Sequence, residues 1–304
     1  MQTILGAGGV IGRELAAELK KYPGPVRLVS RKPQKINPDD QLLAADLTKP
    51  DETLQAVRGS DIVYLLAGLP YDISVWRIQW PLIMENVLEA CKRYRARLVF
   101  FDNVYMYGKV DGWMTENTPF NPCSKKGEVR AAIAGRLIEE YSKKNLEAMI
   151  VRSADFYGPG AGTSVFNLLI IDRLKSGKKA SWLINDKVKH SFTYTPDAAA
   201  ATALLGNTPD AYNQTWHLPT DPNALTGKQY IELIAGLLNV KPAYSVLKEW
   251  QLQLAGLFNQ TVRELKEMGY QNEYEYLFDS TKFDKCFNIK PTGYNEGIKT
   301  SLGK

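Results

Sequence analysis

The chain has 304 residues, of which 44% are apolar and 23% are charged, and its formal net charge is +5. This composition excludes a disordered or collagen-like chain, and so small a positive excess does not predict a nucleic-acid partner. No apolar run approaches the ~18 residues of a membrane span, so we expect no membrane partner. No basic segment followed by an apolar stretch and a cleavage site is found, so we expect no secretory leader. The three cysteines form no Cys-x-x-Cys pair, which favours a cytoplasmic compartment and predicts no metal site.

Short apolar runs alternate with helical patterns in the first half of the chain. Strands are predicted at Thr3–Leu5, Val26–Val29, Gln41–Ala45, Asp61–Ala67, Arg97–Phe101 and Ala148–Val151. Helices are predicted between them at Val10–Lys21, Asp51–Val57, Ile83–Tyr94 and Arg130–Lys143. This alternation is typical of the α/β class, and we predict a Rossmann-type, doubly wound parallel sheet with helices on both faces.

The regular alternation weakens in the second half, after a glycine-rich break at residues 158–162. Two further helices are predicted, near Lys228–Leu238 and Gln260–Met268. We predict a Rossmann-type domain made of residues 1–152, to which residues 190–220 return, and a smaller C-terminal substrate-binding portion made of residues 153–189 and 221–304. Open parallel sheets bind ligands at the carboxyl ends of their strands, so a portion placed there would select the substrate.

A glycine-rich turn joins the first predicted strand to the first predicted helix. Its residues are Gly6, Gly8, Gly9, Val10, Ile11 and Gly12. Glycines let the backbone approach a pyrophosphate, and the start of the helix offers free N–H groups and the positive end of a dipole. In this strand–turn–helix context the pattern predicts dinucleotide binding, and the alternative is a plain tight turn.

The end of the second predicted strand indicates which dinucleotide is preferred. It reads Ser30-Arg31-Lys32, where NAD-preferring sites usually carry an acidic residue for the ribose 2′-hydroxyl. A guanidinium instead pairs with a 2′-phosphate, through as many as two hydrogen bonds. The sequence therefore predicts NADP(H) rather than NAD, and the alternative is a solvated basic turn.

The spacing of Gly6, Gly9 and Gly12 resembles the Gly-x-x-Gly-x-x-Gly turn of the extended short-chain dehydrogenase/reductases, the epimerase/dehydratase group. Later segments that resemble the same family follow in order: Ile62–Gly68, Val99–Gly108, Val151–Gly160, His190–Ala199, Lys290–Thr292 and Glu296–Ile298. The resemblance covers nearly the whole chain. It implies an NAD(P)-dependent oxidoreductase or epimerase/dehydratase that acts on a carbonyl or alcohol carbon of a polar small molecule, for example a sugar or nucleotide sugar.

The same resemblance implies further cofactor contacts and an assembly. Asp46 and Leu47 match the family's adenine-contacting position, although a helix N-cap nearby is the alternative. The segment Leu66, Ala67 and Gly68 matches the strand end that passes near the nicotinamide ribose. A homodimer is implied through the predicted helices at Ile83–Tyr94 and Arg130–Lys143.

The chain departs from the family at the catalytic residues. Family members carry a Ser or Thr at the end of the fifth strand and a Tyr-x-x-x-Lys motif on the next helix. In that motif the tyrosine moves a proton. The lysine favours the ionised form of the tyrosine and holds the nicotinamide ribose. Here Asn103 takes the first position, Lys126 the tyrosine position and Arg130 the lysine position. No tyrosine lies between Tyr107 and Tyr141, so a small shift in alignment does not restore the motif.

Replacement roles follow from side-chain chemistry. Asn103 would orient a substrate oxygen, Lys126 or Tyr105 would move the proton, and Arg130 would hold the ribose hydroxyls. The alternatives are a solvated basic face for Lys126 and Arg130, and a packing role for Tyr105. Our leading prediction is an enzyme with an altered active centre. The rival is a non-catalytic protein that binds NADP and reports redox state to a partner.

Overall fold

A computed structural model describes residues 1–304, apart from the side chain of residue 261. The chain forms two compact units. Unit 1 comprises Met1–Met106, Lys126–Ser153 and Ala198–Leu218, and unit 2 comprises Tyr107–Lys125, Ala154–Asp197 and Pro219–Lys304. Among the described helices none is long and apolar enough to cross a membrane.

The strands of the structure are β1 (Gln2–Leu5), β2 (Val26–Ser30), β3 (Gln41–Ala44), β4 (Ile62–Leu65), β5 (Arg97–Asp102), β6 (Trp113–Met114), β7 (Ala148–Arg152), β8 (Asp155–Tyr157), β9 (Ala180–Leu183), β10 (Lys189–His190), β11 (Phe192–Tyr194), β12 (Thr215–His217), β13 (Leu225–Thr226), β14 (Tyr244–Leu247) and β15 (Leu277–Phe278). The helices are α1 (Val10–Glu18), α2 (Pro50–Val57), α3 (Ile73–Tyr94), α4 (Lys125–Ser142), α5 (Asp172–Lys175), α6 (Thr195–Gly206), α7 (Gly227–Leu238), α8 (Glu249–Phe258), α9 (Gln260–Glu267), α10 (Tyr270–Glu273), α11 (Thr281–Phe287) and α12 (Tyr294–Ser301). Short 3-10 turns lie at Leu19–Lys21, Tyr105–Tyr107 and Pro209–Ala211, and a π-helical turn lies at Asn167–Ile171.

Unit 1 contains a seven-stranded sheet in the order β3-β2-β1-β4-β5-β7-β12, and all six strand pairs are parallel. Every residue of β1, β4 and β7 is buried, as expected for strands covered on both faces. The strand order reverses direction between β1 and β4, which is where open sheets of this kind bind ligands. The predicted doubly wound α/β fold is confirmed.

Several elements of unit 1 differ from the prediction. Helix α4 begins at Lys125, five residues before the predicted start at Arg130, and helix α6 was not predicted. Helix α3 begins at Ile73, ten residues before the predicted start, and includes Pro81. Its N-cap is Asp72, whose carboxylate accepts a hydrogen bond from the backbone N–H of Ser74. Strand β12 was not predicted, because it has only three residues and lies at the edge of the sheet.

Unit 2 has a different construction. Its strands form four two-stranded sheets, β10-β13, β11-β8, β14-β9 and β15-β6. Its core is rich in aromatic side chains, with the ring of Tyr230 within 5.3 Å of the rings of Phe166, Phe192 and Tyr294. Such strand pairs are too small to bury a core by themselves, so the aromatic cluster supplies much of the apolar area.

Candidate cofactor and catalytic site

The glycine turn after β1 is shaped by two close backbone approaches. Gly6 has a φ of +97°, which glycine tolerates and other residues rarely adopt. A Cβ atom on Gly6 would lie 2.6 Å from the backbone N and Cα atoms of Ala67, in the segment that follows β4. A Cβ atom on Gly12 would lie 2.9 Å from the Cα atom of Ala7. Gly6 therefore lets two segments touch at the point where the strand order reverses, and Gly12 lets α1 pack on its own turn.

The same turn leaves the start of α1 open. Gly8 and Gly9 are exposed, and a Cβ atom on either would have no heavy atom within 4 Å. Gly9 is the N-cap, so no capping side chain accepts from the first-turn N–H groups of Val10 and Ile11. Free N–H groups beside the positive end of a helix dipole suit an anionic diphosphate. The residues present thus fit a nicotinamide dinucleotide.

The end of β2 presents the basic residues noted in the sequence. Arg31 and Lys32 are exposed, and Ser30 is half-buried. The backbone carbonyl of Ser30 accepts a hydrogen bond from the N–H of Ala45 at 3.1 Å, which joins the ends of β2 and β3. The contact of Ser30, Arg31 and Lys32 with a 2′-phosphate stays a prediction.

Asp46 has a local partner. One of its carboxylate oxygens accepts from the backbone N–H of Thr48 at 3.0 Å and from the Thr48 hydroxyl at 2.8 Å. These bonds lower the pKa of Asp46, and the positive charges of Lys49 and Arg31 act in the same direction. The neighbouring Leu47 is buried, and its carbonyl accepts from the amide of Asn86 at 2.9 Å. This geometry favours the local role of Asp46 before α2, and adenine contact stays a prediction for both residues.

The segment after β4 borders the glycine turn. Leu66 donates its backbone N–H to the carbonyl of Leu5 at 2.8 Å, which continues the pairing of β4 with β1. Leu66 and Ala67 are half-buried and Gly68 is exposed. The three residues predicted to lie near the nicotinamide ribose therefore follow β4, the strand beside β1 and its glycine turn, and their contact with the ribose stays a prediction.

Arg130 is held in the interior of unit 1. It is 3% exposed, and its Nε donates to Oδ1 of Asp102 at 2.7 Å, with a second, shorter bond from its terminal nitrogen. Its guanidinium carbon lies 4.4 Å from the centroid of the Trp80 ring and 5.0 Å from that of Phe100. Arg152, at the end of β7, places its Nε 3.6 Å from the other carboxylate oxygen of Asp102. Arg130 thus belongs to a buried ion cluster, and this location disfavours the predicted contact with ribose hydroxyls.

Lys126 is also buried, against the expectation that it would reach a substrate. Its relative exposure is 0%, and its Nζ lies 4.6 Å from the centroid of the Tyr71 ring, within cation–π distance. Helix α4 turns its first residues inward here, since Lys126, Gly127, Val129 and Arg130 are all buried. The alternative of a solvated basic face is therefore wrong for Lys126 and Arg130. Direct proton transfer from Lys126 stays a prediction that its burial disfavours.

Asn103 and Tyr105 lie at the carboxyl end of β5 and are both half-buried. The backbone N–H of Asn103 donates to Oδ1 of Asp102 at 2.8 Å, and the side-chain oxygen of Asn103 accepts from the N–H of Tyr105 at 3.0 Å. This local turn fixes the Asn103 amide and leaves its NH2 group as the donor for an external oxygen. The Tyr105 ring stacks on Trp76 at 6.3 Å, and its hydroxyl lies 3.5 Å from that of Tyr71.

Sequence reasoning missed several residues of this site: Tyr71, Trp76, Trp80, Asp102 and Arg152. Two signals were available. An acid, Asp102, and a base, Arg152, each follow a run of four apolar residues at the end of a strand, and the register of the two neighbouring strands pairs them directly. The aromatic residues Trp76 and Trp80 are four positions apart, which places both on one face of a helix.

Unit 2 brings together three of the segments that carry the family resemblance. Strand β8 pairs with β11, which places the Tyr157 ring 5.3 Å from that of Tyr194. The carboxylate of Asp197 accepts from the backbone N–H and the hydroxyl of Thr292, at 2.6 and 2.8 Å. Asp155 pairs with Nε2 of His190 at 3.0 Å. These contacts show that the motifs of unit 2 hold its segments together.

A parallel sheet of this order with an uncapped glycine turn at the reversal point defines a dinucleotide-binding α/β protein. The family model described as "NAD dependent epimerase/dehydratase family" matches residues 3–217. The chain therefore belongs to the NAD-dependent epimerase/dehydratase family, and by this membership it is an enzyme of the extended short-chain dehydrogenase/reductase type.

Individual relatives are more distant. An uncharacterized UDP-glucose epimerase of Bacillus subtilis is 27% identical over 234 residues, which cover 67% of this chain and 72% of that protein. A UDP-N-acetyl-alpha-D-glucosaminuronate decarboxylase of Bacillus cytotoxicus is 24% identical over 220 residues, 66% of this chain and 68% of its own length. The UDP-glucose 4-epimerase of Thermus thermophilus, solved in complex with NAD, superposes with a TM-score of 0.81 at 17% identity, over 100% of this chain and 98% of that one. At that identity the last likeness shows the fold.

Proposed function

We propose that the chain is an NADP(H)-using oxidoreductase of the epimerase or dehydratase type that acts on a nucleotide sugar through an altered catalytic centre. The observation that carries the proposal is the glycine turn, in which Gly6 lies against Ala67 and the start of α1 is open to an anion. The two curated relatives act, by their names, on UDP-sugars, which supports this substrate class.

When bound, the nicotinamide would accept or return a hydrogen together with its electron pair at a carbinol carbon. The chain's own residues would do the rest. Val10 and Ile11 would donate backbone N–H groups to the diphosphate, and Asn103 would donate its amide to the substrate oxygen. Arg130, tied to Asp102, would add positive charge from within the protein rather than touch the ribose.

The preference for NADP rests on Arg31. Its side chain is exposed at the end of β2, and no described carboxylate forms an ion pair with it. An exposed guanidinium at the end of β2 supports recognition of a 2′-phosphate, since that strand end is where sites of this fold hold the adenosine ribose. The Thermus enzyme was solved with NAD, so the choice between the two cofactors needs a direct comparison.

We also propose that the protein forms a homodimer through α3 and α4. Ile78 and Leu82 lie one turn apart on α3 and are 66% and 48% exposed, so they form an adjoining apolar pair on the outside of the helix. Next to them, Arg136 of α4 donates to Glu85 of α3 at 2.8 Å. Light scattering on the wild type and on Leu82→Glu tests this proposal: a dimer that the substitution dissociates supports it, and a wild-type monomer refutes it.

Turnover is tested by mixing the protein with UDP-glucose and either NADP+ or NAD+. We expect absorbance of reduced nicotinamide or a changed sugar ring in the product spectrum, and faster reaction with NADP+. Cofactor binding without turnover on any of a panel of UDP- and dTDP-sugars would contradict the nucleotide-sugar assignment and favour a sensing role.

A further inference from the structure

Helix α4 has a lysine where the family has its tyrosine, yet a tyrosine still adjoins that lysine. Tyr71 comes from the segment between β4 and α3, and its ring centroid lies 4.6 Å from Nζ of Lys126. We propose that Tyr71 is the catalytic residue that moves the proton and that Lys126 is a positioning residue behind its ring. The inference rests on the proposed function, and it assigns to another segment of the chain the hydroxyl that α4 lacks.

Exposure decides which of the two side chains meets the substrate. Lys126 has no exposed surface, whereas Tyr71 is half-buried. A group that exchanges a proton with a soluble substrate must reach hydrogen-bond distance of it. Tyr71 is therefore better placed than Lys126 to reach a substrate, since part of its surface is exposed and none of the surface of Lys126 is.

The charge of Lys126 favours the required chemistry. A cation close to a phenol stabilises the phenolate over the neutral form, so Tyr71 can accept a proton from an alcohol and later return it. The phenol is also held in place. Trp76 contacts the Tyr71 ring edge-on at 5.7 Å, and the indole N–H of Trp76 donates to the carbonyl of Pro70 at 2.9 Å.

Tyr71 lies at the same edge of the sheet as the other candidate groups. It follows β4, while Asn103 and Tyr105 follow β5, the next strand in the sheet. The hydroxyls of Tyr71 and Tyr105 are 3.5 Å apart, close enough for a weak hydrogen bond through which Tyr105 can pass the proton to solvent. In the oxidative direction, the substrate O–H proton goes to the Tyr71 oxygen and the C–H bond breaks. The carbonyl forms, and the hydrogen leaves with its electron pair to the oxidised dinucleotide of the proposed function.

The kinetic test compares Tyr71→Phe with Tyr94→Phe. Both changes remove one hydroxyl from a half-buried tyrosine, and the two residues flank α3 at opposite ends. With UDP-glucose and NADP+ we expect Tyr71→Phe to lower kcat by about 100-fold or more and to leave the Kd for NADP+ unchanged, because general acid–base groups contribute roughly that much. Tyr94→Phe should behave as wild type. If Tyr105→Phe abolishes turnover while Tyr71→Phe retains it, the assignment to Tyr71 is wrong.

A second test needs no turnover. Tetranitromethane nitrates the phenolate form of tyrosine, so Tyr71 should be nitrated faster than Tyr94 in the cofactor-free protein, as mapped by mass spectrometry. Lys126→Met should slow nitration of Tyr71 and leave that of Tyr94 unchanged, with folding checked by circular dichroism. Equal nitration of Tyr71 in wild type and Lys126→Met would overturn the inference even if UDP-glucose is not a substrate. Failure of the proposed function would appear separately, as absence of NADP+ binding.

Discussion

The glycine turn after β1 and the first turn of α4 both lie in unit 1, but they differ in construction. The glycine turn is made of backbone: it lacks side chains where Gly6 meets Ala67, and it is exposed at Gly8 and Gly9. The start of α4 is made of side chains, with Lys126 and Arg130 buried among aromatic rings and beside Asp102. The comparison teaches that one sheet-based unit can carry two turns of opposite construction, one of exposed backbone and one of buried charged side chains.

The difference has a physical reason. A backbone cradle depends on the absence of side chains, so few substitutions at the glycines preserve it. A proton-transfer site depends on one reachable hydroxyl of suitable chemistry, which any segment at the same sheet edge can supply. Family membership therefore predicts the first site residue by residue and the second only in location.

The largest loss of stability is expected when the carboxylate of the buried charge cluster at α4 is removed. Asp102→Asn leaves the buried guanidinium groups of Arg130 and Arg152 without their shared carboxylate, which we expect to cost roughly 3–5 kcal/mol of stability. Glu85→Gln is the control, because it removes the exposed partner of Arg136 and should cost less than about 1 kcal/mol. Thermal unfolding of both variants measures the difference, and equal losses would contradict a structural role for the cluster.

The next effect tests the backbone cradle. Gly6→Ala places a Cβ atom 2.6 Å from the backbone of Ala67 at a φ of +97°, so the turn must distort. We expect dinucleotide affinity to fall by about 100-fold or more, equivalent to roughly 2.7 kcal/mol. Gly112→Ala is the matched control, because Gly112 also has a positive φ (+93°) but lies outside the turn and has no heavy atom within 4 Å of the added carbon. Calorimetric titration gives both affinities, and comparable losses in the two variants would show that close approach at Gly6 is not what shapes the site.

A smaller effect is expected at the exposed end of the cradle. Arg31→Ala removes the guanidinium proposed to pair with a 2′-phosphate and should weaken NADPH binding by about tenfold, or roughly 1.4 kcal/mol. NADH binding should change little, since NADH has no 2′-phosphate. The ratio of the two dissociation constants is the measurement, and an unchanged ratio would refute the role of Arg31.

The smallest effect on stability is expected at Asp284, a carboxylate in unit 2. Asp102 pairs with arginines, whereas no cation is described beside Asp284. Burial, and next the charge of Asp279, raise the pKa of Asp284 to about 6. The folded protein therefore holds this proton more tightly than the unfolded chain, whose Asp titrates near 3.9. The stabilising contribution is present below about pH 4 and is lost as the pH rises through about 6.

The Asn side chain of Asp284→Asn cannot ionise, so this variant should not lose stability as the pH rises through about 6. We expect a melting temperature about 2–4 °C above that of wild type at pH 7.5 and a flatter dependence between pH 4 and pH 6. The exposed Glu275→Gln should follow the wild-type curve. Parallel curves for wild type and Asp284→Asn across that interval would show that the Asp284 carboxyl does not titrate as its burial requires.

Most of unit 1 could be predicted from the sequence, for reasons visible in particular elements. Strands such as β1 and β4 are short apolar runs, and each of them is buried at every position. The edge strand β12 and the first ten residues of α3 were missed, because a three-residue strand has no periodicity and Pro81 obscures a helix that Asp72 caps.

The candidate site was predictable only in part. Local pattern located the glycine turn, since its chemistry lies in consecutive residues. The pairing of Lys126 with Tyr71 joins residues 55 positions apart, and that of Arg130 with Asp102 joins residues 28 apart. Neither pairing has a signal in the sequence alone, so the full burial of Lys126 and Arg130, which the sequence predicts at the substrate and at the ribose, needed the fold.

The most direct measurement is calorimetric titration of the wild-type protein with NADPH and with NADH. The account predicts saturable binding of both with dissociation constants below about 1 mM, NADPH being the tighter. If both dinucleotides fail to give saturable heat at several times that concentration, the claim that the turn at Gly6–Gly12 binds the diphosphate of a nicotinamide cofactor is contradicted.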